Sequence, residues 1–493
     1  MLRRLFLGLS VLSLGIGLSG CAGPGQSAPP PALASSLSKN VVPPIVIPPN
    51  GWTQEKRAVH ALNRLAFGPA PGDVERVVRR GVDAWIRAQM APKSLPDPAV
   101  DAKLEGLPTL QMSIETLQTE FPRTEVVAPE RKPAVMEREL TAAKLVRAVE
   151  SSRQLNEVLV DFWFNHFNVF LGKGEDRWMI GPYERDAIRA YVFGSFRQLL
   201  GATATHPAML WYLDNWASTR EGARGGINEN YARELLELHT LGVGGGYSEE
   251  DVREVARCFT GWSIVRPRGN VTSVKRDPVS DREAGTFVYR DFAHDKGRKR
   301  VLGQVIPAGG GIEDGEKVLD LLAKQPATAR FVALKLCRKF VADVPPPALV
   351  ERVAATFQRT HGDLPSVYAV IFSSKELWSD SAFASKTKSP LELAASAVRA
   401  LGGTVRPELA PALAQQIGRM GEPLYRCQPP TGYGETADAW LNAGSLLNRL
   451  NFAFALAAGR VADVSVGASR IATGADAART AGFVLAAPEF QKR

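Results

Sequence analysis

Seven carboxylates, one of the chain's six histidines and a run of glycines fall between Asn228 and Trp262, in NENYARELLELHTLGVGGGYSEEDVREVARCFTGW. Ionisable side chains beside pliable backbone suit acid–base chemistry or oxygen-rich cation binding. On a helix following Asn228, the 100° step places Glu234 and Glu237 within about 60° of each other, with Asn230 between them and Arg233 beside them. Two carboxyls that close resist ionising together, so one can hold a proton as general acid while the other serves as base. A solvated face with an Arg233–Glu237 pair, worth under about 0.5 kcal/mol, explains the same spacing. His239 falls about 160° from Glu237, so the E-x-H string cannot chelate one ion on a regular helix.

Other candidates lie outside that stretch. His166 sits in DFWFNHFNVF, where apolar residues on every side of a helix bury the imidazole. It must then find a partner, as a core histidine on a carbonyl, a general base or a metal ligand. Asp161 and Asn165 share a helix face at i, i+4. In THPAMLWYLDN a helix starts at His206 and Pro207 and closes at Asp214 and Asn215. A carboxylate in a last turn opposes the helix dipole by roughly 0.3–1 kcal/mol, so a cation such as Arg224 or a substrate is expected to hold Asp214 there. Trp211, Tyr212, Trp216 and Trp262 supply aromatic faces that suit sugar rings or core packing equally. His294 and Asp295 stand at a turn, as binding groups or ordinary turn residues. The glycines at 242 and 244–246 are a tight connector rather than a phosphate loop, since Glu249, Glu250 and Asp251 already occupy the next helix N-terminus. No GxSxG, Walker loop, HExxH or CxxC occurs.

The elements that must position these groups are mostly helical. Apolar periodicity predicts helices over Thr53–Leu65, Pro133–Glu150, Gln154–Val169, Tyr183–Phe193 and Pro326–Val341. Ser248 and Asp251 approximate a capping box, Gly242 a left-handed cap, and Pro207 a first-turn proline. A small β-hairpin is expected around 287–306, with TFVY and KRVLGQVI flanking a turn at 295–297. The expected class is mainly α: one large multi-helix domain over 52–493, as a single body or as two lobes.

The first twenty residues carry Arg3 and Arg4, an apolar run and small residues before Cys21. That pattern is an export signal, too short to span a membrane. Leu18-Ser19-Gly20-Cys21 resembles a lipoprotein box, which implies lipidation at Cys21. Residues 21–51 then form a Pro/Ser/Ala-rich tether to a membrane facing the periplasm or cell surface, the outer membrane favoured by Ala22. Lys and Arg number 60 against 51 Asp and Glu, and loss of Arg3 and Arg4 with the leader lowers the formal charge from +9 to +7. That modest excess fits an acidic polysaccharide or lipid head groups, and no nucleic-acid signature accompanies it. Cys258, Cys337 and Cys427 read as small buried hydrophobes, with one disulfide as the alternative.

The strings ALNRLAFGP, DFWFNHFNV, GSFRQLLGATATHPAMLWYLDN, NENYARELLELHTLG, ARCFTGW, FAHDKGRKRVLG, PATARFVALKLCRKFV and FVLAAPEF occur in order. Together they resemble the bacterial domain-of-unknown-function family 1800. The resemblance implies export and a neighbouring exported partner similar to sulfatases, but no reaction to transfer. Its strongest blocks coincide with Asn165, His166, His206, Asp214, Asn215, Asn228, Glu229, Asn230, Arg233, Glu234, Glu237, His239, His294 and Asp295. The loop 217–227 departs from it, being short and Gly/Arg-rich here.

Two functions follow. One is a hydrolase or lyase on an acidic envelope or extracellular polysaccharide. Glu234, Glu237, His166, His206 and Asp214 would carry its chemistry; Arg233, Asn228, Asn230, Trp211, Trp216, Trp262, His294 and Asp295 would bind substrate. The other is a noncatalytic envelope scaffold that docks a sulfatase-like partner. No cofactor is expected, with an oxygen-ligated Mg²⁺ or Ca²⁺ as a further alternative.

Overall fold

A Thr53 hydroxyl accepting the Lys56 amide at 3.2 Å opens the first long helix, Gln54–Leu65, which buries Ala58, His60, Ala61, Leu62 and Leu65. This structure, a computed structural model, describes residues 42–123, 127–223, 225–265, 283–409, 411–466 and 475–493. The expected leader, Cys21 and most of the expected tether lie outside the described residues.

The other predicted helices are present with revised ends. Pro133–Glu150 occupies its expected span. Gln154–His166 stops before Val169, because Phe167 leaves helical geometry. Pro326–Phe340 ends one residue early. Tyr183–Arg189 is a π-helix followed by turns, not an α-helix to Phe193. Ser248 and Asp251 complete a reciprocal capping box, and Gly242 takes a left-handed φ of 83°. There a Cβ would lie 2.8 Å from the Phe331 ring.

The expected hairpin is wrong in its pairing. Phe287–Tyr289 pairs antiparallel with Trp262–Ile264 instead, while Lys299–Val301 and Gln304–Ile306 form their own tight hairpin. Its turn is Leu302–Gly303, both at positive φ, so the left-handed pair lies inside KRVLGQVI rather than at 295–297. A third two-residue pair joins Thr404–Val405 to Val464–Ser465. Among the described residues all else regular is helical.

One contiguous core runs from Ile45 to Leu485. Helices 326–340, 347–359 and 364–372 pack in sequence, and 443–457 packs on 475–486. Cys258, Cys337 and Cys427 are all free and buried. No helix among the described residues is long and apolar enough to cross a membrane.

Candidate functional site

The site grows from the end of helix Pro207–Tyr212. His206 caps its start, the ring Nδ1 accepting the Ala208 amide at 3.2 Å, and Pro207 takes the first turn. The chain leaves helical geometry at Leu213, and Asp214 adopts φ 60°. Aspartate visits that left-handed region more readily than most residues, yet it is held there only where its surroundings compensate. The compensating cation is Lys173, whose Nζ lies 2.7 Å from Asp214 Oδ2 and also bonds the Tyr212 carbonyl. Arg224, expected in that role, lies outside the described residues. Alongside, Asp176 is fully enclosed, and neither carboxyl oxygen has a hydrogen-bond partner among the described residues. Burial pushes its pKa well above the usual range, Lys173 opposing and Asp214 adding to the rise. Asp176 is therefore a buried carboxylic acid beside an ion pair.

Two indoles complete this surface. Trp211 and Trp216 stack with centroids 4.7 Å apart at 12°, both half-buried, and Trp211 Nε1 donates to the Lys173 carbonyl at 3.2 Å. Glu234 arrives from the next helix, Asn230–Glu234. Asn230 Nδ2 donates to the Leu213 carbonyl at 3.3 Å, seating that helix on the Asp214 turn, and Glu234 is one turn further along the same face. Half-buried, Glu234 makes no hydrogen bond or ion pair among the described residues; burial and then the Glu237 charge raise its pKa, against Arg233. Its charge also reaches Tyr212, whose phenol is driven upward chiefly by burial.

The wheel expected for Glu234 and Glu237 does not hold beyond Glu234. Leu235–Thr240 is π-helical, with the Leu241 amide on the Leu236 carbonyl at 2.8 Å and the Thr240 hydroxyl on the Leu235 carbonyl at 2.6 Å. The wider turn ends the 100° step on which the 60° separation rests. Glu237 instead lies near Tyr247, whose pKa is raised by burial and by the Glu237 charge. The expected Arg233–Glu237 pair is replaced by Arg233–Glu249 at 2.8 Å and Arg233–Glu229 at 3.5 Å.

Several named residues have partners elsewhere. His166 is the carbonyl-bonded core histidine: its Nε2 donates to the His239 carbonyl at 3.1 Å, its Nδ1 is unpaired, and burial with the nearby Lys335 charge holds it neutral. Asn165 clamps Tyr433 by amide and carbonyl, and Asp161 pairs with Lys144 at 2.8 Å. Trp262 is 0 % exposed, packed between Phe259 and Phe287, so it offers no platform to a sugar. His294 bonds the Thr260 carbonyl and approaches Asp314, which also binds Lys299. Asp295 is committed to Arg257 at 2.8 Å, and Asn228 receives the Asn230 amide at 2.9 Å. The structure thus gathers Trp211, Asp214, Trp216 and Asn230 at one turn, with Glu234 on the helix that Asn230 seats there and His206 capping the far end of helix 207–212.

Sequence reasoning missed Lys173 and Asp176, although GKGEDRW places both in one polar turn. It also missed a narrow charged cleft of about 40 Å³, lined by Lys144, Asp161, Lys339, Glu422 and Tyr425. There burial and the Asp161 charge push Glu422 up to about 8. No local signal marks that cleft, because its members come from segments far apart in sequence. Among the described residues, no group of three or more His, Cys, Asp or Glu is placed to hold a metal ion.

Fold and site define a mainly α-helical protein with a Lys173–Asp214 ion pair on the turn between two stacked indoles. The family described as "Protein of unknown function (DUF1800)" matches residues 60–492, and the chain belongs to that family. No curated protein and no solved structure matches the chain.

Proposed function

We propose that this protein is an exported, lipid-anchored hydrolase or lyase that cleaves an acidic carbohydrate polymer at the Asp214–Glu234 face. One observation carries the reading: the Asn230–Leu213 hydrogen bond seats the helix that bears Glu234 on the turn where Lys173 holds Asp214, the turn that also joins the stacked Trp211 and Trp216. Glu234, half-buried with its pKa raised, is suited to donate a proton to a leaving oxygen. Asp214, ion-paired and left-handed, is suited to accept one from water or from a sugar carbon acid. Lys173 would attract an acidic substituent, and the indoles would take a ring face.

The test is chain shortening of acidic polysaccharides by the mature protein, read as new reducing ends for hydrolysis and as an ultraviolet-absorbing unsaturated end for elimination. Glu234→Gln and Asp214→Asn should each lower the rate by about 10²-fold or more while circular dichroism stays unchanged. Wild-type rates in both variants, or no shortening of any acidic polymer by the wild type, overturn the proposal.

A second reading has its own observation. Leu446, Leu447 and Leu450 on helix 443–457, with Phe483 and Val484 on helix 475–486, are all exposed, between 43 % and 61 %. These two helices pack together, which brings the two segments that bear the exposed side chains next to each other. Such a surface supports docking of a sulfatase-like exported partner. Co-purification with that partner, lost in Leu447→Asp and Phe483→Asp and retained in Glu234→Gln, would favour the scaffold; retention in all three would remove it.

A further inference from the structure

A cavity of about 740 Å³ opens on another part of the molecule. That size lies within the range of about 300–1,000 Å³ usual for small-molecule sites. Its lining is mixed: Met90, Val100, Leu104, Tyr191 and Phe193 supply apolar surface, and Lys93, Asp97, Asp101 and Arg153 are among the polar groups. Its polar end is built by three helices that each lend a charged residue: Arg147 from 133–150, Glu157 from 154–166 and Arg189 from the π-helix 183–189.

The charges at that end are unevenly satisfied. Arg189 reaches Glu157 at 2.7 Å and Glu184 at 3.1 Å, and Glu184 also accepts the Tyr425 hydroxyl at 2.7 Å. Arg153, near the rim, donates to the Leu95 carbonyl at 2.8 Å. Arg147 makes no hydrogen bond and no ion pair within 4 Å among the described residues, although it lines the same cavity. Burial and the neighbouring Arg189 disfavour its charged form; Glu157 and Glu184 favour it from a distance. The Arg147 guanidinium is half-buried, and its five donors face the cavity with no protein acceptor among the described residues, open to solvent or to the oxygens of a ligand. Arginine matches carboxylate and phosphate oxygens in a two-pronged geometry.

We infer that this cavity binds a small single-chain amphiphile, its carboxylate or phosphate head on the Arg147 guanidinium and its hydrocarbon tail along the apolar surface of Met90, Val100, Leu104, Tyr191 and Phe193. The site is separate from the Asp214–Glu234 face and does not depend on the reaction proposed there. Membrane-derived fatty acids and lipid phosphates share this chemistry, and the two heads can be told apart by direct comparison.

Calorimetric titration of the mature protein with decanoate, decyl phosphate and 1-decanol, each below its micelle concentration, tests the inference. At least one anion should bind about tenfold or more tighter than the alcohol, and the tighter anion identifies the head group. Arg147→Met should erase that preference while leaving decanol binding in place, and Arg147→Lys should keep part of it. Ala91→Trp, which fills the mouth without touching the arginine, should weaken all three ligands and keeps the inference testable should Arg147→Met fail to fold. Equal affinity for anions and alcohol in the wild type, or a preference that survives Arg147→Met, overturns it. Both outcomes are independent of polysaccharide cleavage, which neither the Arg147 nor the Ala91 substitutions should change.

Discussion

Replacing Asp176 with asparagine removes one titrating group from the floor of the proposed site and keeps its shape. The carboxyl is fully enclosed and both oxygens are unpaired among the described residues, so its charged form is strongly disfavoured. Its pKa is raised well above 3.8 by burial, with Lys173 the counterweight. For a raised acid, the contribution to stability is complete below the unfolded pKa and is lost as pH climbs toward the folded pKa. Within that window each pH unit costs about 1.4 kcal/mol for a single proton. Asparagine does not titrate. Its amide keeps an unpaired group in the same hollow at a cost of about 1–3 kcal/mol, but that offset is the same at every pH.

The stability difference between Asp176→Asn and wild type should therefore rise in the variant's favour by about 1.4 kcal/mol per pH unit from just above pH 4, then level off at the folded pKa. Urea unfolding of both proteins across that range gives the difference directly, and every group they share cancels. Lys173→Met supplies a second constraint. Without the cation the folded pKa climbs further, so the level region should move to higher pH. A difference that is flat with pH would mean that the carboxyl is solvated or partnered, and the picture of a buried acid beside Lys173–Asp214 would be refuted.

Four buried imidazoles act in the opposite sense. Burial lowers His60 and His239 to about 3, His206 to about 4 and His166 well below its ordinary value, so their stabilisation is complete above pH 6.5 and drains away as pH falls. Together they should remove up to roughly 5 kcal/mol per pH unit once all four are titrating in the unfolded chain, and urea midpoints that hold steady from pH 7 to pH 5 would contradict this. Trp262→Ala should cost about 3–5 kcal/mol with no selective loss of carbohydrate binding, whereas Trp211→Ala should weaken binding at nearly unchanged stability. Glu422→Gln should match wild type near pH 4 and exceed it above pH 8, because the wild-type carboxyl, pushed to about 8, is forced to ionise there; equal unfolding midpoints at both pH values would reject the shift. Gly242→Ala should destabilise by more than about 1 kcal/mol, since φ is 83° and the new methyl meets Phe331, and an unchanged unfolding midpoint would contradict it.

The sequence carried the helices well because their apolar periods are long. Pro133–Glu150 has eighteen residues of pattern and was placed to the residue. It failed where structure depends on distant partners. Phe287–Tyr289 pairs across more than twenty residues with Trp262–Ile264, and nothing in TFVY distinguishes that partner from the nearer KRV. The site followed the same division. Asp214 was suspect for a local reason, a carboxylate in the last turn of a helix. Its counter-ion, Lys173, lies about forty residues earlier, and the electrostatics that make Asp176 and Glu422 unusual come from burial, which spacing does not encode. Trp262 and His294 failed as ligand groups because a residue's type says what it can bind but not whether water reaches it.

The π-helical turn ties these failures together. Regular α-geometry would keep Glu237 beside Glu234 and pair it with Arg233, giving the bland solvated face. Widening the turn at Leu235 brings Glu237 to Tyr247, while its charge still adds to the burial that raises the Glu234 pKa. A π turn is uncommon and needs support from outside the helix. Here the Thr240 hydroxyl covers the Leu235 carbonyl, and His166 reaches across from another helix to bond the carbonyl of His239. Gly242 then turns the chain against Phe331 where a side chain would not fit. His166 thus acts through backbone geometry: it fixes the far end of the segment whose near end carries Glu234. That role explains why a histidine can sit in an aromatic core with one nitrogen unpaired among the described residues, and it gives the imidazole a structural task apart from the proposed Lys173–Asp214–Glu234 face.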